Sequence, residues 1–389
     1  MAVAPLRLPP AEASSELDGL RREVRAFLAG EEFTPRCDAW LSGHDPGFSR
    51  GLGARGWLGM TFPEAYGGHG RRAVERYAVI EELLAAGAPV AAHWVADRQT
   101  GPLLLRYGTE EQRQRLLPGI ARGELYCGIG MSEPDAGSDL AAIRTRAERV
   151  DGGWRVNGAK IWTSHAHRSH YMLTLVRTSP ADSSDRHAGM SQFLVDLSSP
   201  GVHVRPIRLL TGEPHFNEVA FEDAFVPDEL VVGTVGNGWE QVTSELAYER
   251  SGPERLLSTF PLLVQAVREI GPSPSSHQAA AIGRALGHLS ALRQLSASVA
   301  AALDRGESPG LQAALVKDVG TRHERAIIDL VRRAVPGVAP ALAGSGPQAA
   351  RLAEAILGAP GFTLRGGTNE ILRGIVARGL GLRSSGSSG

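Results

Sequence analysis

The sequence predicts an α+β fold, mostly α. A helical N-terminal domain spans 1–125, a small β-domain 126–235 and a C-terminal helical bundle 236–382, before a flexible tail at 383–389. Three observations predict this. Apolar residues recur at helical spacing in the first and last parts of the chain. Short β-prone runs, separated by Asp-Gly and Asn-Gly pairs, crowd the middle. Helix and strand patterns are segregated, not alternating, which argues against a doubly wound parallel sheet.

The elements follow in order. In "ELDGLRREVRAFLAG", Leu17, Leu20, Val24, Phe27 and Leu28 share one helical face, and Gly30 ends the helix. In "GTEEQRQRLLPGI", Thr109 and Gln112 have capping-box spacing. In "RTRAERVDGGWRVNGAKIWTS", Asp151-Gly152-Gly153 and Asn157-Gly158 both read as hairpin turns between short strands. "QFLVDL" and "VHVRPI" continue the β pattern, and "FVPDELVVG" closes it. Two long helical patterns then run through "SHQAAAIGRALGHLSALRQLSASVAAAL" and "GLQAALVKDVGTRHERAIIDLVRRAV", punctuated by Pro272, Pro274, Ser308 to Gly310 and Gly344 to Pro347.

Composition bounds the function. The 389 residues are 42% hydrophobic, enough for a large core. A net charge of −1, with Lys and Arg scattered, points to neither nucleic acid nor an anionic membrane. Two cysteines, Cys37 and Cys127, are too few for a disulfide framework and fit a reducing compartment. The N-terminus lacks the apolar segment of a signal peptide, and no run is long and apolar enough to span a bilayer. A soluble, cytoplasmic protein is expected. No G-x-G-x-x-G or Walker A pattern occurs, so any nucleotide cofactor is held some other way.

Near the C-terminus, "LRGGTNEILR" joins a Gly-Gly turn to a helix that Thr368 or Asn369 can cap. Such a helix start exposes N–H groups suited to an anion. The one nearby carboxylate, Glu370, falls on the helix side of the turn.

Three stretches at matching spacings, "MSEPDAGSD", "NGAKIWTS" and "RGGTNEILR", resemble the acyl-CoA dehydrogenase family, as does the α–β–α order. The resemblance covers nearly the whole chain. It implies FAD, an acyl-CoA substrate and an electron-transfer flavoprotein or similar acceptor. In such enzymes a carboxylate removes the α-proton of the thioester and the flavin N5 takes the β-hydride.

The resemblance also implies roles. Ser132 and Ser164 match hydroxyls that donate to the flavin ring, where preorganised donors stabilise developing negative charge. Trp162 matches the aromatic beside the ring; its ordinary alternative is a core aromatic. Met131 lends backbone to the pyrimidine edge. Gly137 lies in the "AGSD" turn with Ser138, which faces the pantetheine arm; a plain β-turn is the alternative there. Gly367, Thr368 and Glu370 lie against the FAD, and the Gly366 N–H donates to the thioester carbonyl.

Many family members carry the base at the position of Gly366, which has no side chain. A subset carries it on the first long helix after the β-domain. There "SELAYERSGPER" places Glu249, with Tyr248 and Arg250 beside it as substrate contacts. A base needs reach to the α-carbon and a pKa lifted by an apolar pocket to roughly 6–7. Glu245 and Glu254 are rivals, and a solvated, locally paired Glu249 is the ordinary alternative.

Arg268 falls near the family's pyrophosphate-binding arginine but out of register, with Ile270 in place of an aromatic. A homotetramer or homodimer is expected, with a heterotetramer of two different chains as an alternative. An oxidase and a non-catalytic partner subunit are the competing functions. In "HAHRSH", alternate residues of a strand share a face, so two of His165, His167 and His170 could converge. No carboxylate or Cys completes a ligand set, so no metal is expected. His165 is expected near the flavin edge or the acceptor surface.

Overall fold

The computed structural model describes residue 9, residues 15–180, 184–335, 337, 338 and 346–382, with only the backbone for 245–249. The tail expected at 383–389 lies outside the described residues.

The chain begins with helices α1 (Ser15–Gly30), α2 (Ala39–Ser42), α3 (Pro46–Ala54), α4 (Ala73–Ala85) and α5 (Ala91–Val95). A π turn, Ala96–Thr100, leads into α6 (Gly101–Tyr107), and α7 (Glu110–Ala121) follows. Strands come next: β1 (Cys127–Gly130), β2 (Arg146–Val150), β3 (Gly153–Ser164), β4 (Tyr171–Arg177), β5 (Met190–Asp196), β6 (Val202–Ile207), β7 (Phe216–Pro227) and β8 (Val231–Val232). The helices α8 (Gly238–Glu249), α9 (Phe260–Ile270), α10 (Ser276–Asp304), α11 (Gly310–Ala334), α12 (Gly346–Phe362) and α13 (Asn369–Gly379) complete it. This is the expected order of helices, strands and helices.

The described residues fall into two compact units. One draws on Met1–Ala39, Ala73–Ala88 and Leu246–Gly389, the other on Trp40–Arg72 and Pro89–Glu245. The N-terminal helices are therefore divided between them.

In the sheet unit the strand order is β6-β7-β3-β2-β4-β5-β8, with β1 added parallel to β4. Leu104, Leu117 and Ile120 from α6 and α7 share one buried core with Val156, Leu173, Phe193 and Val219. Each such side chain contributes roughly 1.5–3 kcal/mol by leaving water. Thr109 caps α7 in the expected capping box with Gln112. The Asp151-Gly152 pair turns β2 into β3, also as expected.

Asn157-Gly158 is not a turn. Both residues lie inside β3, at a bulge against β7 between Val156 and Gly158. Gly158 has φ +141°, and a Cβ there would sit 2.7 Å from the Thr145 Cα. Asn157 closes a cross-strand pair instead: its Nδ2 donates to Asp223 Oδ1 at 2.9 Å, and the Asp223 N–H donates back to its Oδ1 at 3.0 Å. Those long-range bonds satisfy the groups that a local turn would have used.

In the helical unit α1 buries Leu20, Val24 and Phe27, while Leu17 and Leu28 stay half-buried at the stripe's edge. Arg25 on α1 grips Glu82 of α4 with two bonds of 2.7 and 2.8 Å. A separate core gathers Leu262, Val331, Leu352 and Phe362 from α9, α11 and α12. Ser275 and Gln278 form a capping box at α10 that the Pro-rich reading of this stretch missed.

Candidate active-site elements and family membership

The sheet unit carries the first group of candidate residues. β1 delivers the chain to Met131 and Ser132, both half-buried. The Ile161 N–H donates to the Ser132 carbonyl at 2.9 Å, which lays this loop along β3. β3 then bulges between Lys160 and Thr163. At the bulge Trp162 adopts φ +63°, a left-handed conformation uncommon for a bulky residue. The bulge turns the indole out of the core, to 53% exposure, so the alternative of a core aromatic does not hold. Its ring meets Phe216 edge-on at 5.9 Å. Ser164 closes the strand, half-buried. The hydroxyls of Ser132 and Ser164 and the Ser132 N–H have no hydrogen-bond partner among the described residues.

The loop is held from behind by a carboxylate that sequence reasoning missed. Glu133 accepts from Lys160 Nζ at 2.7 Å, the Arg144 N–H at 2.7 Å and the Thr145 N–H at 2.9 Å. Burial alone would raise its pKa, but Lys160 and these N–H donors hold it below the usual range. Lys160 is fully buried, and that burial pulls its own pKa down to about 8. The available signal was a single lysine within a β-run whose neighbours alternate inward. Beyond the loop, Gly137 and Ser138 are exposed. Asp139 pairs with Arg186 through contacts of 2.5 and 2.7 Å.

The histidine segment is not a strand. β3 stops at Ser164, His165 takes φ +52°, and 166–168 form a single helical turn. Alternation along a strand therefore does not bring its imidazoles to one face. His165 Nε2 lies 2.6 Å from the Leu41 carbonyl, and burial drives its pKa to about 3. His167 contacts Asn217 at 2.8 Å, and His170 accepts from the Tyr126 N–H at 3.1 Å. Each of the three is committed to a different partner.

The helical unit carries the second group. Gly366 and Gly367 have φ of +67° and +84°, so the turn needs residues without a Cβ. Thr368, not Asn369, caps α13, accepting from the Ile371 N–H. Asn369 is buried instead: its Oδ1 takes Lys317 Nζ at 3.2 Å and its Nδ2 reaches the Asp318 carbonyl at 3.3 Å. Lys317 Nζ also donates to the Gly367 carbonyl, and Arg250 Nε donates to that of Gly366 at 3.2 Å. Arg365 grips Asp38 through contacts of 2.5 and 2.6 Å. With its carbonyls tied back, the turn leaves the N–H groups of Gly366, Gly367 and Thr368 without an acceptor among the described residues. Three successive free amides have the chemistry to bind an anion or a carbonyl oxygen.

The carboxylates divide by accessibility. Glu370 is exposed, its pKa held down by its own N–H and by Thr368, as at an ordinary helix start. Glu254 is buried beside Arg255. Glu324, which sequence reasoning passed over, is wholly buried, and burial raises its pKa to about 7. Its Oε1 takes the Ser258 N–H at 2.8 Å. That pKa suits a base, but no substrate reaches a carboxylate sealed from solvent. Arg268 stands exposed in the last turn of α9. Glu249, Tyr248 and the rival Glu245 belong to α8, but their side chains lie outside the described residues.

Comparison with known proteins matches most of the chain. Three consecutive family domains align: acyl-CoA dehydrogenase N-terminal domain over 14–124, middle domain over 128–224 and C-terminal domain over 265–381. Acyl-CoA dehydrogenase FadE29 of Mycobacterium tuberculosis is 32% identical over 375 residues, covering 92% of this chain and 89% of that protein. The chain spans about half the length of the first curated relatives it matches. Among solved structures, the Tcur3481-Tcur3483 steroid ACAD superposes with a TM-score of 0.85 at 29% identity, covering 98% of this chain and all of that one. The ChsE4-ChsE5 complex from Mycobacterium tuberculosis gives 0.83 at 29% identity, over 96% and 99%. On this evidence the chain belongs to the acyl-CoA dehydrogenase family.

Proposed function

We propose that this chain binds FAD and catalyses α,β-dehydrogenation of an acyl thioester carried on CoA, with Glu249 removing the α-proton. The observation that carries the reading is the pair of prepared donor sets. One is the exposed Trp162 with the partnerless Ser132 and Ser164 hydroxyls. The other is the Gly366–Thr368 turn with its free amides. Free hydroxyl donors and an exposed aromatic suit a flat, polar-edged ring such as isoalloxazine, and free backbone amides suit an anion or a carbonyl oxygen. When bound, that group accepts the β-hydride.

The chain's own residues do the rest. Met131, Ser132, Gly137, Trp162 and Ser164 hold the flavin from the sheet. Gly367, Thr368 and Glu370 of the turn would be further FAD contacts, and Arg268 would serve the pyrophosphate. The Gly366 N–H donates to the thioester carbonyl and acidifies the α-carbon. Ser138, Tyr248 and Arg250 contact the CoA arm. Glu249 is the residue just before Arg250, and Arg250 is hydrogen-bonded to the turn, which supports a base close to the same carbonyl. Glu370 is a cap-region carboxylate and not the base.

The finer identity follows two of the similar solved structures. The substrate is a bulky, steroid-type acyl thioester, because one structural relative is a steroid ACAD. The enzyme assembles with a second, related chain, because another relative is a two-protein complex. An electron-transfer flavoprotein takes the electrons. No helix among the described residues is long and apolar enough to cross a membrane.

Anaerobic mixing of the FAD-loaded protein, alone and co-expressed with its related chain, with steroid-type and straight-chain acyl-CoA thioesters tests this. Bleaching of the flavin absorbance with the bulky substrate is the expected result. No bleaching with any thioester in either preparation would defeat the activity. Faster turnover of short straight chains would defeat the substrate class.

A further inference from the structure

The Lys160–Glu133 ion pair is more than the fold requires. A wholly buried ion pair contributes little net stability, because desolvation offsets most of the attraction, and apolar residues of similar volume often serve as well. Here Lys160 is fully buried and Glu133 nearly so. The pair sits directly behind the loop assigned to the flavin. Besides Glu133, Lys160 Nζ donates to the Met131 carbonyl at 3.2 Å.

That carbonyl and the Ser132 N–H belong to one peptide unit. An ammonium on the oxygen polarises the amide and strengthens its N–H as a donor. The Ser132 N–H is the group left without a partner among the described residues. On the other side of the same residue, the Ser132 carbonyl is fixed by the Ile161 N–H, next along β3 from Lys160. Glu133 in turn fixes the ammonium and, through the Arg144 and Thr145 N–H groups, the return of the chain into β2.

We propose that Lys160 and Glu133 are positioning residues that hold the Met131–Ser132 peptide and charge its N–H, so that the site favours the reduced, anionic flavin over the oxidised one. The proposal rests on the FAD reading above. Lys160 feels Glu133 as its charged neighbour, and Arg177 is a further cation that feels Glu133.

The test compares the holoenzyme with Lys160→Met and with the neutral pair Glu133→Gln/Lys160→Met. It measures FAD affinity by flavin fluorescence, the two-electron midpoint potential, and thermal melting. A charge-assisted hydrogen bond lost from one redox state predicts about a tenfold fall in the preference for reduced flavin, or about 30 mV for two electrons. The double variant recovers thermal stability but not the potential. Recovery of both, or a wild-type potential in either variant, would overturn the proposal and leave the pair merely structural.

The wild type supplies a readout independent of any variant's folding. Loss of the Lys160 proton as pH rises through about 8 lowers the midpoint potential beyond the ordinary proton dependence of the flavin. A wild-type curve with no inflection there overturns the proposal too. Failure of the wild type to bind FAD at all would instead sink the cofactor reading, and this inference with it.

Discussion

The two candidate regions are built differently. In the sheet unit, Met131, Ser132, Trp162 and Ser164 come from one loop and one strand within 34 residues, and a neighbouring ion pair steadies them. In the helical unit, the carbonyls of Gly366 and Gly367 are held by Arg250 and Lys317, drawn from positions far apart in the chain. The sheet presents the Ser132 and Ser164 hydroxyls, which have no hydrogen-bond partner among the described residues. The turn presents backbone whose shape depends on its anchors. Substitutions in the first region should therefore change chemistry without changing stability, and substitutions in the second should change both.

Four expected outcomes sharpen this contrast, from largest to smallest. Glu249→Gln lowers the rate of flavin reduction by acyl thioester about 10³-fold, or ~4 kcal/mol of barrier, while FAD stays bound. Stopped-flow absorbance checks it, and a parental rate would remove Glu249 as the base.

Glu324→Gln comes next, and it acts on stability alone. The Glu324 pKa is raised to about 7 in the folded chain, so between its ordinary value and 7 the folded state binds more protons than the unfolded. Stability therefore falls as pH rises through that window, by ~3 kcal/mol. Glu324→Gln flattens that slope in denaturant titrations at several pH values. An unchanged slope would assign it to another group.

Gly367→Ala places a Cβ at φ +84°, 3.1 Å from Arg250 Nη2. It should cost ~1–2 kcal/mol of stability and lower kcat/KM as well. Melting curves alongside steady-state rates would show whether the two losses travel together.

Ser132→Ala is the mildest change. It removes a hydroxyl with no partner among the described residues, so melting should hold within ~0.5 kcal/mol while flavin reduction slows about tenfold. A clear drop in melting temperature would break the contrast between the two regions.

The legible parts of the molecule share one property. The Thr109 capping box, the Thr368 cap, the Asp151-Gly152 turn and the buried stripe of α1 each involve groups a few residues apart. The motifs around Ser132, Trp162 and Gly366 were legible as a set because their order and spacing follow a family pattern. The pairing of Asn157 with Asp223 was not, because it depends on a strand more than sixty residues away. The same holds for the histidines, which the end of β3 scatters to separate partners.

The sequence by itself determined the order of helices, strands and helices, the caps and turns, and the family, since periodicity and short-range hydrogen bonding are properties of neighbours along the chain. Tertiary structure decided which charges are buried and which backbone is bent. The outward swing of Trp162, the Lys160–Glu133 pair behind Ser132 and the sealing of Glu324 all arise where distant segments pack. Desolvation and strand register act there, and no local run of residues encodes them.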